Sequence, residues 1–263
     1  MSILGGAVGD GSKNQADDVK TVQLLLNLNI GRLMPMTAVP VTGKSGPATV
    51  ALIKEFQKRV MKAAKPDGVI DPGGATLGEL RNGLPADVSA DMLFGVFVHS
   101  NRDRVAKFAA GLIAALTTEI DSDLRRAHFL AQLGHESGEL VFTEEIASGA
   151  AYEGRADLGN TVKGDGRRFK GRGLIQITGR ANYAAYGKDR GADYLSDGRR
   201  ELLATDPATA VDCSVWFWKR AKCNVAADMD DVKKVTRIVN GGLNGIDNRT
   251  RLLARAKFFL KLQ

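Results

Sequence analysis

Apolar positions recur at three- and four-residue spacing along most of the chain, so the pattern predicts a mainly α-helical fold. Asp17 and Asp18 stand before Val19, Val22, Leu24, Leu25 and Leu26, and carboxylates in a first turn suit the positive end of a helix dipole. After a loop with Gly31, Pro35, Pro40 and Gly43, the run Ser45-Gly46-Pro47 opens a second helix, striped by Val50, Ile53, Phe56 and Val60. Pro66 to Asp71 reads as a turn, and Thr76 to Leu80 as a third short helix. Asn82 to Asp87 is turn-forming and aperiodic, which sets a domain boundary between residues 84 and 85. Beyond it, helices are expected from Leu93, over Val105–Leu116, and from Leu124 to about Glu136 with Ser122 or Asp123 as cap. More are expected at Asn182–Tyr186, Pro207–Lys219, Val232–Val239 and Arg249–Leu262. Between them runs a Gly-rich irregular stretch from Gly138 to Gly173, and so long a loop in a compact domain is usually functional. Leu174 to Thr178 is the best strand-like run.

Length and composition add limits. A chain of 263 residues with 44% hydrophobic and 25% charged residues is not largely disordered. It holds no apolar run near the ~18–20 residues a membrane span needs. Met1 to Gly6 shows no basic segment followed by an apolar stretch, so no secretory signal peptide is expected. The net charge of +7 favours a polyanionic partner: nucleic acid, an anionic membrane or an acidic wall polymer. Residues 1–84 hold ten basic and seven acidic groups, so the surplus is spread and does not choose among these. Cys213 and Cys223 are too few for a disulfide framework and are expected to be reduced, although their pairing is not decided by the sequence.

The candidate chemistry sits around the irregular stretch. His135-Glu136-Ser137-Gly138-Glu139 closes a helix; Thr143-Glu144-Glu145-Ile146 and Tyr152-Glu153-Gly154-Arg155 follow; then comes Gly164 through Tyr183. Glycosidic bonds are cleaved by two carboxyl groups on opposite sides of the bond. One must be a protonated donor, which burial favours, and Glu136 lies where an apolar helix meets a Gly-rich loop. The other must stay ionised and activate water; Glu144 or Glu145 can do so. A spacing of about 6.5–9.5 Å would leave room for that water and invert the anomeric carbon. A hydroxyl such as Thr178 can hold the water, and the loop glycines let backbone approach a sugar chain.

Two resemblances extend this reading. Thr49, Phe56-Gln57, Asp67-Gly68-Val69-Ile70 and Thr76 to Leu80, within residues 10–82, resemble a small three-helix peptidoglycan-binding domain, with Thr42-Gly43 in place of its first Asp-Gly. Residues 90–260 resemble glycoside hydrolase family 19, closest to its bacteriophage endolysin branch. The carriers are His-Glu-Ser-Gly at 135–138, a downstream Glu, Phe169-Lys170-Gly171-Arg172-Gly173-Leu174-Ile175-Gln176-Ile177-Thr178-Gly179-Arg180-Ala181-Asn182-Tyr183, and Val239-Asn240-Gly241-Gly242. The implied architecture is a wall-binding domain, 1–84, ahead of a lysozyme-like helical catalytic domain, 85–263. By resemblance Glu136 matches the general acid, Glu145 the base, and Thr178 the residue that holds the water. Gln176, Asn182 and Asn240 match substrate-binding positions. Arg255, and less closely Arg251, lie where the family keeps an arginine near its acid–base network. Glu144 and Glu153 leave the identity of the base open. Tyr152 and Tyr183 can stack on a sugar or pack in the core.

The implied function is a phage endolysin. It would hydrolyse the β-1,4 bond between N-acetylmuramic acid and N-acetylglucosamine, as a monomer and with no metal or organic cofactor. Peptidoglycan would be the partner of both domains, with no nucleic acid. The protein would accumulate in the host cytoplasm and reach the wall by a holin-type route. Alternatives are a chitinase, a lytic transglycosylase and a non-catalytic wall-binding protein. A zinc amidase site would need His99, His128 and His135 to converge without a His-Glu-x-x-His run. Gly43-Lys44-Ser45 fails as a phosphate loop because Ala38 replaces its first glycine. The cysteines lack a nearby His pattern for a thiol nucleophile. Trp216 and Trp218 read as core. The last helix, with Arg249, Arg251, Arg255, Lys257 and Lys261 among apolar residues, reads as packed on the core, with an anionic outer membrane as a second reading.

Overall fold

The computed structural model describes residues 2–262. The fold is mainly helical, as the periodicity requires. The chain forms two compact units, Met1–His99 with Ala254–Gln263, and Ser100–Leu253. The sequence boundary at 84/85 lies ahead of a short helix, Ala90–Val96, that groups with the first unit, as do the residues from Ala254 onward.

The first unit contains α1 (Ala16–Leu28), α2 (Pro47–Arg59), α3 (Ala75–Asn82) and α4 (Ala90–Val96). A two-stranded antiparallel sheet joins β1 (Val8–Gly9) to β2 (Val69–Ile70), with Val8 opposite Ile70. Its internal repeat is carried by two glutamines. Gln23 accepts from the Gly43 amide at 3.1 Å and donates to Lys44 O at 3.0 Å and Thr49 Oγ1 at 3.2 Å. Gln57 accepts from the Gly68 amide at 2.9 Å and donates to Val69 O at 3.0 Å, with Thr76 Oγ1 at 3.5 Å. Both glycines are left-handed, at φ +77 and +75, which a side chain disfavours. Each glutamine thus replaces a stretch of secondary structure as partner for buried loop backbone. Gln57→Leu is expected to cost about 2–4 kcal/mol, because several buried polar groups lose their partner together. Thermal unfolding of the variant measures this; an unchanged melting temperature would show that water replaces the amide.

The second unit contains α5 (Arg102–Thr118), α6 (Asp123–Glu136), α7 (Asp165–Arg168), α8 (Arg180–Arg190), α9 (Leu202–Thr205), α10 (Pro207–Arg220), α11 (Cys223–Asp228) and α12 (Val232–Asn240). Ser122 caps α6 by accepting from the Arg125 amide, and Asp206 caps α10, so two of these boundaries follow ordinary N-cap chemistry. Helix α5 packs on α10, and α6 packs on α11 and α12. Phe169, Ile175, Ile177, Tyr183, Tyr186 and Trp216 form a buried cluster, and Trp218 is buried against Phe129. Tyr183 is therefore core. Helix α13 (Ile246–Phe259) begins in the second unit and ends in the first.

Three sequence expectations change. Leu174–Thr178 is not a strand: Arg172 and Ile177 exchange amide–carbonyl bonds at 3.1 and 2.8 Å, closing a tight turn. Ile175 and Ile177 are apolar because they are buried, not because they pair in a sheet. On the last helix, Arg249 and Arg255 are buried, which removes two charges from the basic outward face considered for a membrane. Arg255 donates to Gly95 O at 3.1 Å and Thr21 Oγ1 at 3.1 Å within the first unit, so it is not the arginine of the acid–base network. Arg251 is exposed. Both cysteines are buried and unbridged, and burial pushes their thiols up to about 12, which removes them as nucleophiles. No helix among the described residues is long and apolar enough to cross a membrane.

Candidate active site

Helix α6 places Gln132, His135 and Glu136 one turn apart on its last two turns, where they meet the start of α13. Glu136 has a side-chain exposure of only 16% and accepts a hydrogen bond from Arg249, whose guanidinium is fully buried. Arg249 also donates to Gln132 Oε1 and to Asn244 O, and Gln132 donates to Thr236 Oγ1 at 3.2 Å. The guanidinium thereby ties the acid to α6, α12 and the loop before α13. His135 Nδ1 lies 2.9 Å from Asn248 Oδ1, and its ring packs against Gly245, where an added Cβ would overlap it.

The chain then turns sharply. Gly138, Glu139 and Leu140 all have positive φ, and the Phe142 amide donates back to Ser137 O at 2.8 Å. Two non-glycine residues in this conformation are held by Glu139 N to Gly134 O and Leu140 N to Ser137 Oγ. This fold-back brings the following segment to the Gly171–Ile177 turn. There the Gly173 amide donates to Thr143 O at 2.9 Å, and the Glu145 amide donates to Gly171 O at 2.9 Å.

The three candidate bases differ in their surroundings. Glu144 Oε1 takes Arg172 Nη2 at 2.8 Å and Lys170 Nζ at 3.5 Å, so two cations neutralise it. Glu153 accepts from the Gly164 and Gly166 amides at 2.6 and 2.9 Å. Those amides hold its carboxyl below the usual range and make it a loop clamp. Among the described residues Glu145 also meets only neutral donors, but one of them is a side chain: Tyr152 Oη at 3.0 Å on Oε1, with the Gly171 amide at 3.2 Å on Oε2. Its charge is fixed in direction without a cation on the carboxylate, which suits a base. Burial first, and then the bond to Glu145, keep the Tyr152 hydroxyl protonated above its ordinary range. Tyr152, expected as a substrate-binding residue, therefore orients Glu145.

Around it, Gln176 adopts φ +60 and donates to Gly173 O at 2.8 Å. Thr178 Oγ1 donates to Gln176 O at 3.0 Å, which leaves its oxygen lone pairs as acceptors for a water proton. Asn182 gives its amide to Thr178 O at 2.8 Å. Asn240 is the exposed last residue of α12, with left-handed Gly241 behind it. The structure thus brings Glu145, Tyr152, Gln176, Thr178 and Asn182 into one bonded turn system. Glu136, His135 and Arg249 form a second network beside the Gly241–Gly245 loop. Arg249 was missed from sequence, and Arg255 does not join. Each histidine has a partner close by: His99 pairs with Asp17, His128 with Asp230 and His135 with Asn248.

The loop is held by an ion pair with a buried carboxylate. Asp165 is buried and takes Arg180 at 2.7 and 2.8 Å and the Val162 amide at 3.0 Å. Arg180 chiefly holds its carboxyl below the usual range. A lowered folded value means stability present above the unfolded pKa of about 3.9 and lost as pH falls through the folded value. Asp165→Asn is expected to cost about 1–3 kcal/mol at neutral pH, with the gap to wild type closing below about pH 4. Urea unfolding at several pH values tests this; a gap independent of pH would contradict it.

The family model described as Chitinase class I matches residues 86–234. Chitinase C of Streptomyces griseus superposes with a TM-score of 0.54 at 23% identity, over 67% of this chain and 93% of that one. A bacterial family 19 chitinase superposes at 0.55, with 23% identity, over 67% and 96%. The fold is thus the helical one of chitinases, and the class is glycoside hydrolase. A glycosyl hydrolase family 19 domain-containing protein of Haemophilus influenzae is 35% identical over 178 residues, 54% of this chain and 86% of that protein. The chain belongs to glycoside hydrolase family 19. An endochitinase of Arabidopsis thaliana is 35% identical over 136 residues, 51% of this chain but only 45% of the plant protein. Glu136, Glu145, Tyr152, Gln176, Thr178 and Asn182 fall inside the family match; Asn240 and Arg249 lie beyond it.

Proposed function

We propose that this chain is a modular peptidoglycan glycosidase that cuts the β-1,4 bond between N-acetylmuramic acid and N-acetylglucosamine by a two-glutamate, inverting route. Glu136 donates its proton to the leaving glycosidic oxygen. Glu145 takes a proton from a water that also donates to Thr178 Oγ1, and that water attacks the anomeric carbon of an oxocarbenium-like centre. Arg249 orients Glu136; Tyr152 and the Gly171 amide orient Glu145. Gln176, Asn182 and Asn240 are the proposed sugar contacts. The observation that carries the reading is the contrast among the three loop carboxylates: Glu144 is paired with Arg172 and Lys170, Glu153 is committed to two backbone amides of its own loop, and Glu145 is oriented by the Tyr152 hydroxyl and the Gly171 amide with no cation on it among the described residues. Residues 1–84 would hold the enzyme on the wall, which raises its local concentration without altering the chemistry. Lysis of a phage host from within, with release through a holin-type route, is the role that fits this pairing.

A second reading, cleavage of plain N-acetylglucosamine polymers, is favoured by the endochitinase names of several relatives. The test is release of reducing ends from purified sacculi and from chitin oligomers at equal sugar concentration. Faster cleavage of sacculi is expected; cleavage of chitin alone would overturn the peptidoglycan reading.

A further inference from the structure

Large apolar side chains are costly to leave in water, so their placement carries information. Val141 and Phe142 are 44% and 42% exposed, and Ile146 is 81% exposed. All three lie in the short segment that links Glu136 to Glu145 and continues one residue past it. Their positions are fixed by the site itself. The Phe142 amide is bonded to Ser137 O, and its ring lies over Gly138, two residues after Glu136. Ile146 follows Glu145, whose amide and carboxylate are both pinned to Gly171. Gly149, three residues after Ile146, packs against Gly166 O and Lys170, and exposed Arg167 is the residue that follows Gly166. Arg167 forms no ion pair among the described residues.

We propose that this rim, Val141, Phe142, Ile146 and Arg167, binds the lactyl-peptide stem carried by N-acetylmuramic acid, and that it sets the preference for stem-bearing glycan. The inference rests on the peptidoglycan reading above and names the part of the substrate that the carboxylates do not touch. The chemistry matches on both counts. The stem begins with small apolar groups, the lactyl and alanyl methyls, and carries carboxylates further out. An apolar ledge next to the cleavage carboxylates, with an exposed arginine, without an ion pair among the described residues, on the neighbouring Gly166–Arg167 backbone, complements that order. A polymer of N-acetylglucosamine offers acetyl methyls but no anionic group for Arg167.

The experiment compares initial rates on glycan strands bearing stems with rates on the same strands after an N-acetylmuramoyl-alanine amidase has removed the peptide and left only the lactyl group, which tests the peptide part of the stem. Wild type is expected to favour stem-bearing strands by about 10-fold in kcat/KM. Ile146→Ser and Arg167→Ser are each expected to erode that preference while the rate on stripped strands is kept. Both side chains are exposed, so the melting temperature should hold and serves as the folding control. Added salt should weaken the Arg167 contribution and spare that of Ile146. Equal wild-type rates on both strands overturn this inference and leave the peptidoglycan reading standing. Variants that lose rate equally on both strands also overturn it. Cleavage of neither strand overturns both.

Discussion

Glu136→Gln is expected to lower the rate of glycan cleavage by about 10²–10⁴-fold, the range that a positioned proton donor contributes. Gln keeps an oxygen that accepts from Arg249, so the fold should survive with a reduced melting temperature. Glu145→Gln is expected to fall in the same range. Glu144→Gln should stay within a few-fold of wild type, since it removes only a half-exposed partner of Arg172 and Lys170. Glu153→Gln should loosen the Gly164–Gly166 loop more than it affects the chemical step. Steady-state rates on sacculi, measured beside circular dichroism, separate these outcomes. A Glu144 variant as inactive as the Glu136 variant would move the base to Glu144.

The second large effect concerns Arg249. Its side chain is fully buried and serves three acceptors: Gln132 Oε1, Glu136 Oε1 and Asn244 O. Arg249→Met is expected to cost about 3–5 kcal/mol, because a low-exposure carboxylate loses its counter-charge and two further acceptors lose their donor. Activity should fall by at least ~10²-fold, since an acid misplaced by an ångström is a poor donor. Arg249→Lys should recover part of the stability but little of the rate, because a point charge cannot span the three acceptors at once. Chemical denaturation with rates on the same samples tests both. A variant that is stable yet fully active would show that Arg249 is only a core cation.

The distance between sequence reading and structure is clearest on this helix. Arg249 and Arg255 are both arginines on one apolar-striped helix, and the family resemblance pointed to Arg255 and, less closely, Arg251. Six residues advance a helix by about 9 Å and about 600°, so the two side chains point about 120° apart. Only the packing decides which one meets Glu136. Helices α6 and α10 were legible because their caps and apolar stripes are local signals. The turn at Gly171–Ile177 was not, because burial makes an apolar run whether or not a strand pairs there. Likewise, a loop tyrosine can stack on a sugar or orient an acid; Tyr152 required the fold of residues 137–145 before its bond to Glu145 could appear. Glu136 was singled out because it ends an apolar helix at a Gly-rich loop, and the Gly171–Tyr183 block because it resembles the family pattern.

The most direct measurement is mass spectrometry of the soluble fragments that the protein releases from purified sacculi. Water delivered by Glu145 predicts muropeptides ending in hydrated N-acetylmuramic acid that borohydride reduces. Fragments ending in 1,6-anhydro sugars would mean that the substrate's own hydroxyl did the work, and no fragments at all would mean that the two glutamates do not act on this polymer.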